Sequence, residues 1–276
     1  MSVSLSVDDV KRCEDAEAND AAAIADSLAS MAGRSVASAW PLAGGRLIIT
    51  GDGFYVNRAI AVALRQPITK DDFDLLEERS RAAGVLPEVL ACPWAGRSLL
   101  ALSAELGYRA TWFRSVLIRA LPAGSASTPR SDLEIRPVEN DRDFAAWREV
   151  TVAGFELGSH RQQEIARQWG EALRRFDSGR LLIARLAGVP VGVASLAVRD
   201  GVAILGGMTT APEARNQGVQ QSLISVRLKR ASELGCTIAA STADPGSGSE
   251  RNLRRRGFEV AGTKIGLTQP ASALAG

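Results

Sequence analysis

The chain has 276 residues, enough for two domains of ordinary size. Apolar residues at 46% and charged residues at 23% are the balance of a globular protein and exclude a disordered one. With 33 Lys and Arg against 31 Asp and Glu the net charge is +2, so neither a broad field nor a basic patch recommends a nucleic-acid partner.

A single histidine, His160, excludes multi-His metal sites and histidine relays, and no metal is expected. The three cysteines, Cys13, Cys92 and Cys236, lie far apart without CxxC spacing, which excludes a disulfide framework and a zinc ribbon and suits a reducing compartment. The first twenty residues are polar and acidic, without a cationic start followed by an apolar core, and no apolar run is long enough to span a bilayer. These features predict a soluble, cytoplasmic protein with no membrane partner.

In chain order, a helical pattern covers residues 8–32. A short strand follows at Arg46–Thr50, ended by a Gly-Asp-Gly turn at 51–53. A helix over Thr69–Ala83 has Thr69 to cap it, acids in its first turn and Gly84 to stop it. Val85–Ala91 reads as a strand, Ser98–Leu106 as a helix and Arg109–Ala120 as an alternating strand. Residues 121–131, rich in Pro, Gly, Ser and Ala, read as a linker between a domain at 1–120 and another at 132–268, with 269–276 as a loose tail. The second half reads as a strand at Leu133–Val138, helices at 141–154 and 161–176, a β-hairpin at 180–199 and a third strand at Val202–Thr210. A loop, a long amphipathic helix from Val219 to Leu234, a strand at 237–243, a short helix at 249–256 and a strand at 260–267 complete it.

The chemistry concentrates where the third strand of the meander meets the long helix, at Met208-Thr-Thr-Ala-Pro-Glu-Ala-Arg-Asn-Gln-Gly-Val-Gln-Gln-Ser222. The first amides of a helix have no internal partners and carry the positive end of its dipole. Gly218 lets an anion approach that backbone, and Arg215 adds a charged donor. A plain strand-to-helix connection is the simpler account of the loop taken alone.

Arg215-x-x-Gly218-x-Gln220 resembles the pyrophosphate loop of the Gcn5-related N-acetyltransferase (GNAT) family. The element order of the second half resembles that family's as well, and Leu253-Arg-Arg-Arg-Gly-Phe258 resembles its short helix before the last strand. The resemblance implies an α/β (α+β) fold of two tandem GNAT-like domains, each a mixed twisted sheet flanked by helices, the first a degenerate copy without the cofactor loop. It further implies an acyl-CoA-dependent N-acyltransferase that moves an acetyl group from acetyl-CoA to the amine of a small molecule by direct transfer. Met208, Thr209 and Thr210 would then bond the pantetheine arm. Arg215, Asn216, Gln217, Gly218, Val219, Gln220, Gln221 and Ser222 would surround the pyrophosphate, and Asn252 would touch the cofactor from the far side.

Two departures accompany the match. The third loop position, usually Gly or Ala in the family, is Gln220, read as tolerated. The usual proton-donating Tyr aligns with Leu253, so Ser247 and Ser249 become the candidate donors, although Ser249 also suits a helix cap. The third meander strand holds no carboxylate, which leaves Glu156, His160 and Glu164 as candidate bases in the segment where the family forms its acceptor pocket. A solvated loop is the plainer account of His160. The alternative function, prompted by these departures, is a non-catalytic CoA-binding sensor or interaction module. A monomer and a homodimer are both compatible with the sequence.

Overall fold

The computed structural model describes residues 6–31, 36–121, 131–177 and 179–270. Residues 122–130 of the expected linker and 271–276 of the expected tail lie outside them. In chain order the elements begin α1 (Val7–Ala29), β1 (Ser38–Leu42), β2 (Gly45–Ile49), β3 (Asn57–Ile60), α2 (Lys70–Ala82), β4 (Glu88–Ala91), α3 (Arg97–Glu105) and β5 (Arg109–Ala120). They continue β6 (Leu133–Pro137), α4 (Asp141–Gly154), α5 (His160–Phe176), β7 (Leu181–Leu186), β8 (Val189–Arg199) and β9 (Val202–Thr210). A 3-10 turn at Pro212–Ala214 leads to α6 (Val219–Glu233), β10 (Ile238–Ala243), α7 (Gly248–Arg255) and β11 (Glu259–Thr268). Among the described residues no helix is long and apolar enough to cross a membrane.

The chain forms two compact units. One comprises Ser6–Val116, Ala243–Pro245 and the segment from Val260 onward. Its sheet runs β1-β2-β3-β4-β11-β5. The two-residue period of β2 sorts its side chains: Leu47 and Ile49 join Phe73 and Leu76 of α2 and Leu99 of α3, while Ile48 joins Ala18, Ala21 and Ala25 of α1. Thr69 caps α2 as expected, accepting from the Asp72 amide while Asp72 reaches back. Two strands were not anticipated. β1 carries Pro41, which removes a ladder donor and obscures the pattern, and the structure tolerates it because β1 is an edge strand. β3 has four residues, too few to show a period.

β11 pairs antiparallel with β4, Ile265 opposite Ala91 and Leu267 opposite Val89. The unit therefore draws on the far end of the chain, where the linker-based division assigns this strand to the second domain. Lys264 of β11 is buried, with its Nζ 2.8 Å from Glu14 Oε2 and 2.5 Å from Glu17 Oε2, both on α1. Composition marks a linker, but only the backbone hydrogen bonds decide whose sheet a strand completes.

The other unit comprises Leu117–Thr242 and Gly246–Glu259. Its sheet runs β10-β9-β8-β7-β6, antiparallel from β6 to β9 and parallel between β9 and β10. Helices α4 and α6 both pack on β8 and β9. Buried Asp143 of α4 accepts two bonds from Arg136 of β6 (2.8 and 2.9 Å) and one from Arg185 of β7 (2.9 Å), tying the helix to the edge of the sheet.

Two irregularities shape this sheet. The pairing of β9 with β10 covers only Val202–Ile204 against Ile238–Ala240, with Ser241 Oγ donating to Leu205 O one step further. Beyond that point β9 continues to Thr210 without β10, paired with β8 only. On its other side, Gly206 faces Ser195 and Thr209 faces Val193, so Gly207 and Met208 together stand opposite Ala194. That extra residue is a β-bulge, and Gly207 takes a φ of +49° within it.

Candidate active site

Where β9 has left β10, a cavity of about 500 Å³ opens at the N-terminus of α6. It is lined by Met208, Thr209 and Thr210 of β9, by Arg215, Asn216 and Gly218 of the loop, by Val219, Gln220 and Gln221 of α6, and by Ser249 and Asn252 of α7. The expected cofactor residues thus converge on one place, apart from Gln217 and Ser222. Gln217 donates to Glu213 O at 2.9 Å, and Ser222 is buried within α6. Arg255 also lines the cavity; the basic run Arg254–Arg256 is a signal that could have pointed to it.

The loop geometry has a local cause. Asn216 and Gly218 both take positive φ, +63° and +80°. Glycine adopts that conformation freely, and asparagine tolerates it better than most residues. Gly218 occupies the N-cap position with no side-chain cap bond, so the first amides of α6 keep the dipole's positive end open to the cavity. A Cβ at Gly218 would meet nothing within 4 Å, so the backbone turn, not crowding, is what calls for glycine.

Gln220 is turned sideways. Its amide donates to Ser249 Oγ at 3.4 Å and its carbonyl oxygen accepts from Asn252 Nδ2, while Gln221 donates to Asn252 O at 3.0 Å. These bonds hold α7 against α6 and direct the Gln220 side chain along the wall of the cavity. Arg215 donates to Gly154 O (3.1 Å) and to Glu156 Oε1 (3.0 Å). The pair is solvent-exposed and worth little to stability, but it joins Glu156 to a residue of the cavity wall.

The remaining candidates separate. Ser247, not Ser249, caps α7, accepting from the Glu250 amide at 3.2 Å. The Ser247-Gly-Ser-Glu250 spacing is that of a cap followed by an acid three residues on, and Glu250 accepts in turn from the Gly246 amide at 2.8 Å. The expectation that Ser249 caps this helix is therefore corrected: Ser249 lies inside α7, facing the cavity. Leu253 is buried, as an apolar residue at that position must be.

His160 opens α5 and lines a second cavity of about 460 Å³ between α4 and α5, together with Trp147, Arg148, Gln163, Glu164 and Arg167. That cavity shares no lining residue with the first. Glu164 accepts from Arg167 (2.8 and 2.6 Å) and Gln168 (2.6 Å), bonds that hold its carboxyl down at about 2 and make it a poor base.

One residue beneath the site was not anticipated. Arg227 of α6 is fully buried, yet among the described residues no carboxylate pairs with it. Its Nη1 donates to Ser195 O (3.1 Å) and Gly206 O (3.2 Å), its Nε to Leu223 O (3.2 Å), and its Nη2 reaches Met208 Sδ at 2.7 Å. Its spacing from Leu223, Ile224 and Ala231 puts it on the buried face of the helix, but its charge hides it, because an arginine is read as turned outward whatever its position.

Residues 142–258 match the model of the acetyltransferase (GNAT) family. No curated protein matches the chain. Among solved structures, a GCN5-related N-acetyltransferase from Kribbella flavida is 20% identical, covering 94% of this chain and 97% of that one with a TM-score of 0.66. One from Sphaerobacter thermophilus is 19% identical over 72% of this chain and 65% of that one, with a TM-score of 0.56. A tandem GNAT protein from the clavulanic acid biosynthesis pathway is 15% identical over 81% and 77%, with a TM-score of 0.58. At these identities the likeness is one of fold.

Proposed function

We propose, from the premise that residues 142–258 form a domain of the GNAT acetyltransferase family, that the protein transfers an acetyl group from acetyl-CoA to the amine of a small molecule. The observation that carries this reading is the open N-terminus of α6, with Gly218 in a left-handed turn and uncapped amides facing a cavity beside the stretch of β9 that β10 no longer pairs. Backbone amides and a helix dipole suit a pyrophosphate. The exposed edge of β9 suits the amide groups of a pantetheine arm, which would add to it like a further strand.

Acetyl-CoA is a substrate here, and the transfer is direct. The amine first loses its ammonium proton, to water or to Glu156, the candidate base joined to the cavity wall through Arg215. Its lone pair then attacks the thioester carbonyl carbon and the carbonyl π electrons move to oxygen. That negative charge is received by a β9 amide. The oxyanion collapses, the C–S bond breaks, and the thiolate leaves with the electron pair; the second proton on the attacking nitrogen, acidic once the N–C bond has formed, is relayed through Ser249 to that sulfur. The products are the N-acetyl amine and CoA.

The test is calorimetric titration with acetyl-CoA and with CoA, followed by thiol release across a panel of amines. Saturable binding is expected, and Gly218→Glu should abolish it while leaving the fold intact. Because a Cβ at 218 meets open space, the substitution costs only the left-handed backbone, about 1–2 kcal/mol. Unchanged binding in that variant refutes the site. A second reading, a CoA-binding module without turnover, is favoured by the buried Leu253 where the family's proton donor is expected. Tight binding without thiol release from any amine would select it.

A further inference from the structure

A guanidinium in the interior without a counter-ion is costly, and such groups persist where a site uses them. Arg227 is the largest fully buried side chain among the described residues. Burial pushes it down to about 9, which still leaves it a cation at neutral pH. One of its four partners, Leu223 O, is on its own helix, and the other three surround the bulge. Ser195 is the residue paired with Gly206, Gly206 immediately precedes the two-residue excursion, and Met208 ends it.

A bulge is a weak point in a ladder, because the extra residue has lost its partner and can settle in more than one way. Binding the carbonyls of Ser195 and Gly206 through one nitrogen fixes the strands just before the excursion, and the Met208 contact fixes its end. Of the two residues of the excursion, Met208 lines the cavity and Gly207 is exposed.

We infer that Arg227 is a positioning residue for acyl transfer, which clamps the β9 bulge from below so that its amides are aimed at the thioester carbonyl, and which adds a fixed positive charge beneath the point where negative charge develops. The inference rests on the acetyl-CoA reading above. Arg227 itself touches no substrate. It acts through the backbone of Gly206–Met208, in a low-dielectric setting where fixed dipoles and charges act strongly and need not reorganise.

The test uses acetyl-CoA labelled with ¹³C at the acetyl carbonyl and isotope-edited infrared spectroscopy of the full chain, in the wild type and in Arg227→Met and Arg227→Lys. In the wild type the carbonyl stretch should move to lower frequency on binding, as aimed donors polarise the bond. Arg227→Met, which keeps an unbranched apolar stem and loses the guanidinium with its charge and donors, should still bind acetyl-CoA but lose the shift. With an amine acceptor from the panel, kcat should fall about a hundredfold, the scale of losing one oxyanion donor, with KM for acetyl-CoA little changed. Arg227→Lys should retain part of the shift.

An unchanged shift in Arg227→Met overturns the inference and leaves the acetyl-CoA reading standing, as does a wild type that binds acetyl-CoA without any shift. Collapse of the fold in both variants, judged by circular dichroism, also overturns it, because the residue is then a packing element. A wild type that does not bind acetyl-CoA overturns the reading and the inference together.

Discussion

Lys264→Met tests the buried charge cluster that fastens β11 to α1. The substitution keeps the stem's apolar packing and removes the ammonium. Lys264 and Glu14 have side chains 1% and 2% exposed, so neither can turn to water, while Glu17 is 34% exposed and can. Glu14 already sits high, pushed up to about 7 by burial with the nearby Glu17 carboxylate adding and Lys264 opposing. Removing the opposing cation raises it further. Breaking a buried pair in this way costs about 3–5 kcal/mol. The sign of the pH dependence follows from linkage. A carboxyl whose folded-state pKa lies above its unfolded value favours folding only while it holds its proton, so stability is lost as pH rises through the folded value. The loss in Lys264→Met should therefore be larger at pH 8 than at pH 5, and Lys264→Met/Glu14→Gln should recover most of it at pH 8. Urea unfolding at the two pH values, followed by tryptophan fluorescence, reads these differences. An equal loss at both pH values, or none, would refute the reasoning.

The cap assignment in α7 predicts that Ser247→Ala destabilises the protein by about 1 kcal/mol, whereas Ser249→Ala, which loses only the long bond from Gln220, costs clearly less; equal losses in the two variants count against it. Cys13 and Cys92 are pushed up to about 12, by burial first and by the Glu14 carboxylate second, and Cys236 is raised by burial. Since the thiolate is the reactive form, all three should resist a maleimide in native buffer at pH 8 and label only as the chain unfolds. Rapid labelling of the folded protein speaks against the burial described here.

Most of the second unit was legible because its signals are local. Apolar period, glycine stops and polar caps place α4, α5 and α6 within a residue or two, and the loop Arg215–Gln220 announces its helix N-terminus by composition alone. Ser247 was legible as well and went unread, because two serines competed for one cap and only the acid at Glu250 distinguishes them. What escaped is long-range. β1 and β3 are short and become strands only when β2 supplies their hydrogen bonds. β11 finds its partner in β4, more than 170 residues earlier in the chain. Burial of Arg227 depends on three backbone carbonyls and a thioether that no spacing rule brings together. His160 and Glu156, neighbours in sequence, end on different surfaces because one begins α5 and the other follows the last turn of α4.

The placement of β11 carries a consequence for how the protein is made. The first unit has residues 6–116 but is missing a strand from the middle of its sheet until Val260 onward is available. At ribosomal speeds of about 5–20 residues per second, the intervening 117–259 take roughly 7 to 29 s to synthesise. Through that interval the β4 and β5 edges lie open and Glu14 waits in an apolar setting without its cation. The amino-terminal half of the protein is thus the half that finishes last, and a nascent chain stalled before residue 260 would present two unpaired strand edges to whatever chaperone or neighbour meets it first.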